Sequence, residues 1–167
     1  MDYKSDIGYR KETLKKLLYN IQKNEDLIVK ALYDDFKKPE FEAVLTETNY
    51  VISELKDTIK NINSWAKPKR VVPSLLNFPS SDYIYKEPYG NVLVIAPWNY
   101  PFQLALCPLI AAVAAGNRVV LKPSEISYHT GQIITKILQN IFEVHQVSVV
   151  HGGAEITQQL IKDKFET

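Results

Sequence analysis

Hydrophobic positions change their spacing twice along this chain of 167 residues. Over residues 1 to about 67 they recur at steps of three and four. Leu14, Leu17, Leu18 and Ile21 line one helix face. Leu27, Ala31 and Leu32 line a second, with Asn24 ahead of Glu25 and Asp26 as its expected N-cap. Ile52, Leu55, Ile59, Ile62 and Ala66 mark a third and longer helix, which Pro68 ends. Stripes of this kind are what helices need in order to bury one face against a core.

Between Lys67 and Ser81 the pattern dissolves into Pro, Ser and Asn, which reads as a connector. Tyr83-Ile84-Tyr85 then predicts a short strand ahead of the Pro88-Tyr89-Gly90 turn. From Asn91 a third regime begins. Val92 to Ala96, Val119 to Leu121 and Val147 to Val150 are continuous apolar runs. Helical stretches separate and follow them: Pro101 to Ala115, closed by Gly116-Asn117; residues 129 to 142; and a last one reaching about Lys162. Strands buried on both faces look like these runs, and their alternation with helices implies right-handed crossovers in a parallel sheet. The fold class is therefore α/β: N-terminal helices, then the first half of a doubly wound, Rossmann-like parallel sheet, truncated. Three segments follow: a helical segment over 1–67, a connector with one strand over 68–90, and an incomplete dinucleotide-binding β-α-β-α-β-α unit over 91–167. No internal repeat or low-complexity tract is present.

Composition narrows the classes of function. Apolar residues make up 46% and charged residues 23%, the mixture of a folded soluble domain. Net charge is +1, so nothing calls for nucleic acid or an anionic surface. Lys15-Lys16, Lys37-Lys38 and Lys67 to Arg70 read as solvated faces and helix ends. The single cysteine, Cys107, precludes an internal disulfide. Met1 to Lys4 open no signal peptide, and no run reaches the roughly 20 apolar residues of a membrane helix. A cytoplasmic location without membrane attachment is the expectation.

Ligands of doubly wound sheets sit beyond the carboxyl ends of the strands, so three turns hold the candidate chemistry. The first, Ala96-Pro97-Trp98-Asn99-Tyr100-Pro101, lacks the glycine-rich pyrophosphate fingerprint. Its prolines and aromatics make it stiff, so Asn99 could act as a fixed oxyanion donor; alternatively it caps the helix that follows. In the second, Lys122-Pro123-Ser124-Glu125, the acidic residue stands where such folds hold ribose hydroxyls; the alternative is an exposed charge pair. The third, His151-Gly152-Gly153-Ala154-Glu155, offers either close backbone approach to a ligand or simply a tight turn. His151 has no second histidine or cysteine at metal-ligand spacing, so no metal site is expected. Cys107 stands mid-helix among Leu104, Ala105, Leu106, Leu109 and Ile110 without a basic sequence neighbour, which fits inert packing rather than a nucleophile.

Taken together, Pro97 to Pro101 and Ala114 to Glu125 resemble the aldehyde dehydrogenase superfamily. Phe36 to Glu42 and Trp65 to Val71 look like its class 3 branch, and the resemblance covers essentially the whole chain. It implies that Asn99 helps to hold the aldehyde oxygen and the oxyanion derived from it. It implies that Lys122 and Glu125 hold the adenosine ribose of NAD or NADP, with a slight lean to NAD. Ile95, Ala96, Pro97 and Trp98 would flank the cofactor, Gly153 would lie near the adenosine, and Tyr83 to Glu87 would form a strand of the arm through which subunits associate.

The family's chemistry is attack by a cysteine thiolate, hydride transfer to nicotinamide, and thioester hydrolysis with a glutamate base. The sequence stops at Asp163 to Thr167, where the family continues towards those residues. The expectation is a fragment, inactive alone, that binds cofactor weakly or not at all. The alternative is a non-catalytic module that associates with an intact dehydrogenase subunit; acyl-CoA and acyl-phosphate reductases of the same superfamily are a more distant reading. In the common 3-2-1-4-5-6 order the chain supplies strands 3, 2 and 1. Val92 to Ala96 would then be an open apolar edge, prone to homo-oligomer formation or strand exchange.

Overall fold

Helix α1 (Ile7–Lys23) starts at Asp6, whose carboxylate accepts the Tyr9 amide at 3.0 Å. It buries Leu14, Leu17 and Ile21 and stops at Asn24. The Asn24 side chain donates to the Asn20 carbonyl at 2.7 Å, so it closes α1. Asn24 does precede α2 (Glu25–Phe36), but it makes no side-chain cap bond to that helix. The expected capping role is therefore reversed: the amide is already engaged by the helix behind it. Glu25 and Asp26 in the first turn of α2 suit its positive end. The computed structural model describes residues 6–162; the expectations placed on Met1 to Lys4 and on Asp163 to Thr167 lie outside the described residues.

Helix α3 (Glu40–Ala43) passes through a π-helical turn (Val44–Thr48) into α4 (Asn49–Trp65). The hydrophobic stripe marked only the α4 part. In the π turn, two consecutive polar residues, Glu47 and Thr48, are fully buried. Thr48 donates its hydroxyl to Glu25 at the start of α2.

Two strands follow α4. β1 (Lys69–Val71) pairs antiparallel with β2 (Asp82–Ile84), Arg70 opposite Tyr83. The expected strand at 83–85 is thus shifted by one residue, and the expected connector contains its partner. Lys69-Arg70-Val71 has one apolar residue and no alternation, so only the pairing creates the strand. Between them, Val72, Leu75 and Leu76 are about as exposed as side chains can be, at 95%, 94% and 95%.

The remaining elements are β3 (Asn91–Ile95), α5 (Gln103–Ala115), β4 (Arg118–Lys122), α6 (Tyr128–Gln139), β5 (Val147–Val149) and α7 (Ala154–Lys162). β3, β4 and β5 form a parallel sheet in that order, as the alternating pattern implied. The ends of α5 and α7 and the start of β5 fall where the sequence put them, and the other expected boundaries move by one to three residues. Gly116 takes φ 96° at the end of α5, a conformation that favours glycine and explains the stop. Val94, Val119, Leu121 and Val147 from the sheet share one core with Leu14, Leu17, Leu32 and Leu55 from the helical segment.

Side chains from the helical segment also terminate the later helices. Asp35 of α2 accepts the amides of His129 (2.9 Å) and Thr130 (2.8 Å), and the Thr130 hydroxyl (2.7 Å), at the start of α6. Asp35→Ala is expected to cost about 1–2 kcal/mol, the scale of a lost N-cap, in a urea titration followed by circular dichroism. An unchanged midpoint would mean that water replaces the carboxylate at no cost. Arg10 of α1, itself buried, donates to the Ala114 carbonyl at the other end of the sheet's first crossover helix. Burial lowers the Arg10 pKa, opposed by Asp6.

Candidate functional site

Register brings the three candidate turns to one edge of the sheet. Ile95 lies opposite Lys122, and Leu121 opposite Val149. The Ala96 amide donates to the Lys122 carbonyl at 3.0 Å, and the Val150 amide to that of Leu121 at 2.9 Å. Residues 96–101, 123–127 and 150–153 therefore all leave the strands on the same side, where ligands of this sheet class bind.

In the first turn, Ala96 is buried, while Ile95 and Trp98 are 44% and 55% exposed. Pro97 and Asn99 are also exposed. Trp98 rests on Phe36 with ring centroids 6.3 Å apart. Tyr100 has φ 50°, the left-handed region that a bulky side chain seldom adopts. Such a conformation costs roughly 1–3 kcal/mol and persists only where neighbours over-determine it.

Asn99 does not cap α5. The first amides of that helix, Phe102 and Gln103, donate to Oε2 of Glu47 at 2.9 and 3.0 Å. Oε1 of the same carboxylate takes the Lys38 ammonium at 2.6 Å. Glu47 has no exposed side-chain surface and Lys38 has 11%. Lys38 also lies over the Tyr100 ring, 4.4 Å from its centroid. No hydrogen bond among the described residues engages the Asn99 amide, which leaves it free as a donor.

Sequence reasoning missed Glu47 and Lys38. Lys38 read as part of a solvated face or helix end, Glu47 drew no reading, and the π turn that sends Glu47 inward has no signature in residue types.

In the second turn the Lys122 ammonium donates to Oε2 of Glu125 at 2.8 Å and to the Pro123 carbonyl at 3.3 Å. The pair is not the exposed one of the alternative expectation: the Lys122 side chain is 3% exposed and that of Glu125 50%. A hydrogen bond from Lys122 holds the Glu125 carboxyl below the usual range. Its contribution to folding is then complete above the ordinary glutamate pKa and fades as pH falls through the lower folded value.

The third turn divides its two glycines. Gly152 has φ 153° and a Cβ there would run into the side chain of Ile156, so this glycine permits the tight turn. Gly153 faces the second turn: a Cβ on it would lie 4.0 Å from Oε1 of Glu125. Lys122, Glu125 and Gly153 thus form one cluster. His151 makes a 2.8 Å hydrogen bond with Thr135 of α6, and no group of metal-binding side chains occurs among the described residues.

Cys107 lies on α5 and packs against the core. Burial, with a smaller push from Glu54, raises its pKa to about 11. At neutral pH this leaves roughly a few hundredfold less thiolate than a free cysteine of pKa about 8.5. Alkylation by iodoacetamide at pH 7 should be slower by a comparable factor than that of glutathione. A rate near that of the small thiol would contradict the inert assignment.

The model of the "Aldehyde dehydrogenase family" matches residues 3–165. The chain belongs to the aldehyde dehydrogenase family. It is 44% identical over 161 residues to a 4,4'-diaponeurosporen-aldehyde dehydrogenase of Staphylococcus aureus, covering 96% of this chain and 35% of that protein. Against aldehyde dehydrogenase family 3 member B2 of mouse it is 41% identical over 158 residues, covering 95% and 33%. A solved structure, the substrate-bound state of Staphylococcus aureus AldH, superposes with TM-score 0.91 at 43% identity, covering 96% of this chain and 37% of that one. The class 3 resemblance is borne out by these relatives. The chain spans about a third of the length of the curated relatives it matches. No helix among the described residues of this aldehyde dehydrogenase family chain is long and apolar enough to cross a membrane.

Proposed function

We propose that this chain forms the adenosine-side wall of an NAD(P)-dependent enzyme that oxidises aldehydes to carboxylic acids. The observation that carries the proposal is the Lys122–Glu125 pair at the strand ends, with Gly153 opposite. A ribose diol offers two hydroxyl donors that a half-exposed carboxylate can accept, and the Lys122 ammonium has a further donor for a hydroxyl oxygen. Gly153 leaves the space in front of Glu125 open. The residues present therefore fit a nucleotide ribose. Glu125 also disfavours a phosphate on that ribose by charge repulsion, which leans the site towards NAD over NADP.

Ile95, Pro97 and Trp98 give the neighbouring surface an apolar face, with Ala96 contributing backbone beneath them. Asn99 supplies a neutral amide donor to the aldehyde oxygen, where negative charge develops during addition. Bound NAD(P) would supply the hydride acceptor. The only thiol in these 167 residues is Cys107, which is poorly ionised, so they supply no thiolate nucleophile and no turnover is expected from them alone.

Amide shift mapping of the 167-residue chain with NAD+ tests the reading. Weak binding should perturb Lys122, Glu125 and Gly153, and Glu125→Gln should weaken it about tenfold, the scale of a lost charged hydrogen bond. Perturbation confined to other surfaces, or an unchanged affinity in the variant, would refute it. Aldehyde-dependent NADH formation abolished by Cys107→Ser would instead make Cys107 a nucleophile.

The β1–β2 arm supports a second reading, association with another subunit. Val72, Leu75, Leu76 and Phe78 expose an apolar surface there at 79% or more, and Tyr83, Ile84 and Tyr85 of the Tyr83 to Glu87 segment are exposed as well. The occupant of that surface, and of the free edge of β3, would be a second copy or an intact dehydrogenase subunit. Sedimentation should then show a species heavier than the monomer; a monomer at all concentrations would exclude it.

A further inference from the structure

We infer that Glu47, with Lys38, is a positioning residue for Asn99: the buried pair fixes the turn that carries the amide donor. The inference takes the role of Asn99 from the function proposed above, but the arrangement stands on its own geometry. Asn99 lies between two constrained flanks. On its carboxyl side, Phe102 and Gln103 both donate to Oε2 of Glu47, which pins the entry to α5. On its other side, Trp98 rests on Phe36 near the end of α2. Between these flanks Tyr100 carries a left-handed φ of 50°, next to a proline that further narrows its choices. The group that meets its ring is the Lys38 ammonium, and Oε1 of Glu47 holds that ammonium at 2.6 Å.

One carboxylate therefore acts on the turn twice, through two amides and through a cation on an aromatic face. Its own position is set by the π turn (Val44–Thr48), which places it inside the protein with no exposed side-chain surface. π turns inside helices recur at functional sites for this reason: an added residue re-aims a side chain. An ordinary cap would need only the Oε2 contacts. The Lys38 bridge to Tyr100 reaches past the helix start and onto the residue next to Asn99.

Two double variants of the 167-residue chain separate positioning from general support. K38M/E47Q removes both charges yet keeps an acceptor for the Phe102 and Gln103 amides. K38M/E47M has nearly the same volume and no acceptor. Nitrogen-15 relaxation reads the backbone of residues 98–100 in each. With the acceptor kept and the Lys38 cation gone, the order parameter at Asn99 should fall part-way from the rigid value of about 0.85; with the acceptor gone too, it should fall below about 0.6 while α1 and α4 remain rigid. Unchanged order at Asn99 in K38M/E47Q would overturn the part given to Lys38. Equal order at Asn99 in both variants would overturn the inference. So would global unfolding of K38M/E47M, or loosening spread evenly along α5, since either makes Glu47 a general support. The measurement contains no aldehyde or cofactor, so failure of the proposed function and failure of this inference are read separately.

Discussion

Replacing Glu47 with alanine should lower the unfolding free energy by about 3–5 kcal/mol, the cost of breaking a buried ion pair by deleting one partner. The magnitude follows from what is left behind. Lys38 would keep its charge at 11% exposure with its carboxylate gone, and the Phe102 and Gln103 amides would lose their acceptor. Most domains have only about 5–15 kcal/mol in total, so the variant should unfold at much lower urea. A loss below about 1 kcal/mol would show that water enters and solvates the site. K38M/E47Q should recover part of the stability, because no charge is left buried and unpaired.

Phe102→Ala should cost a similar amount, about 3–5 kcal/mol, by a different route. Phe102 follows the first turn and is fully buried in the hydrophobic core, so truncation leaves a cavity there. The two losses should not add. Glu47 bonds the Phe102 amide, and residues in direct contact typically couple. A double variant whose cost equals the sum of the single ones would mean that cap and ring act independently. Urea titrations of the two single variants and the double one decide this.

The parallel half of the fold was legible because its strands are continuous apolar runs. Val92 to Ala96 and Val119 to Leu121 carry no polar side chain, and the helices between them need their own apolar stripes. The three turns were legible for the same reason: once strands are placed, their carboxyl ends follow. The sequence could not show which acidic residues point inward. Asp35 follows Asp34 in a run that looks solvated, and only the docking of α2 beside α6 gives it three donors. Glu47 is aimed by backbone geometry rather than by its neighbours' identity. Spacing alone left the exposed pair open as one reading of Lys122 and Glu125; the strand end buries Lys122 while its partner stays half in water. β1 was hidden because a strand made by pairing alone, with two charged residues out of three, leaves no period to read.

Helix α5 itself contains no charged residue. Its two ends are met instead by Glu47 and Arg10, which lie 55 and 104 positions earlier in the chain. Asp35 serves α6 from 95 positions before Thr130. During synthesis the amino end emerges first. The groups that satisfy the later helices are therefore already outside the ribosome when those helices are made. The parallel-sheet half would then not begin as an autonomous module awaiting decoration: it would condense onto a helical scaffold that holds its terminating charges in advance. Expressed without residues 1–48, the remaining chain would have to start α5 and α6 unaided.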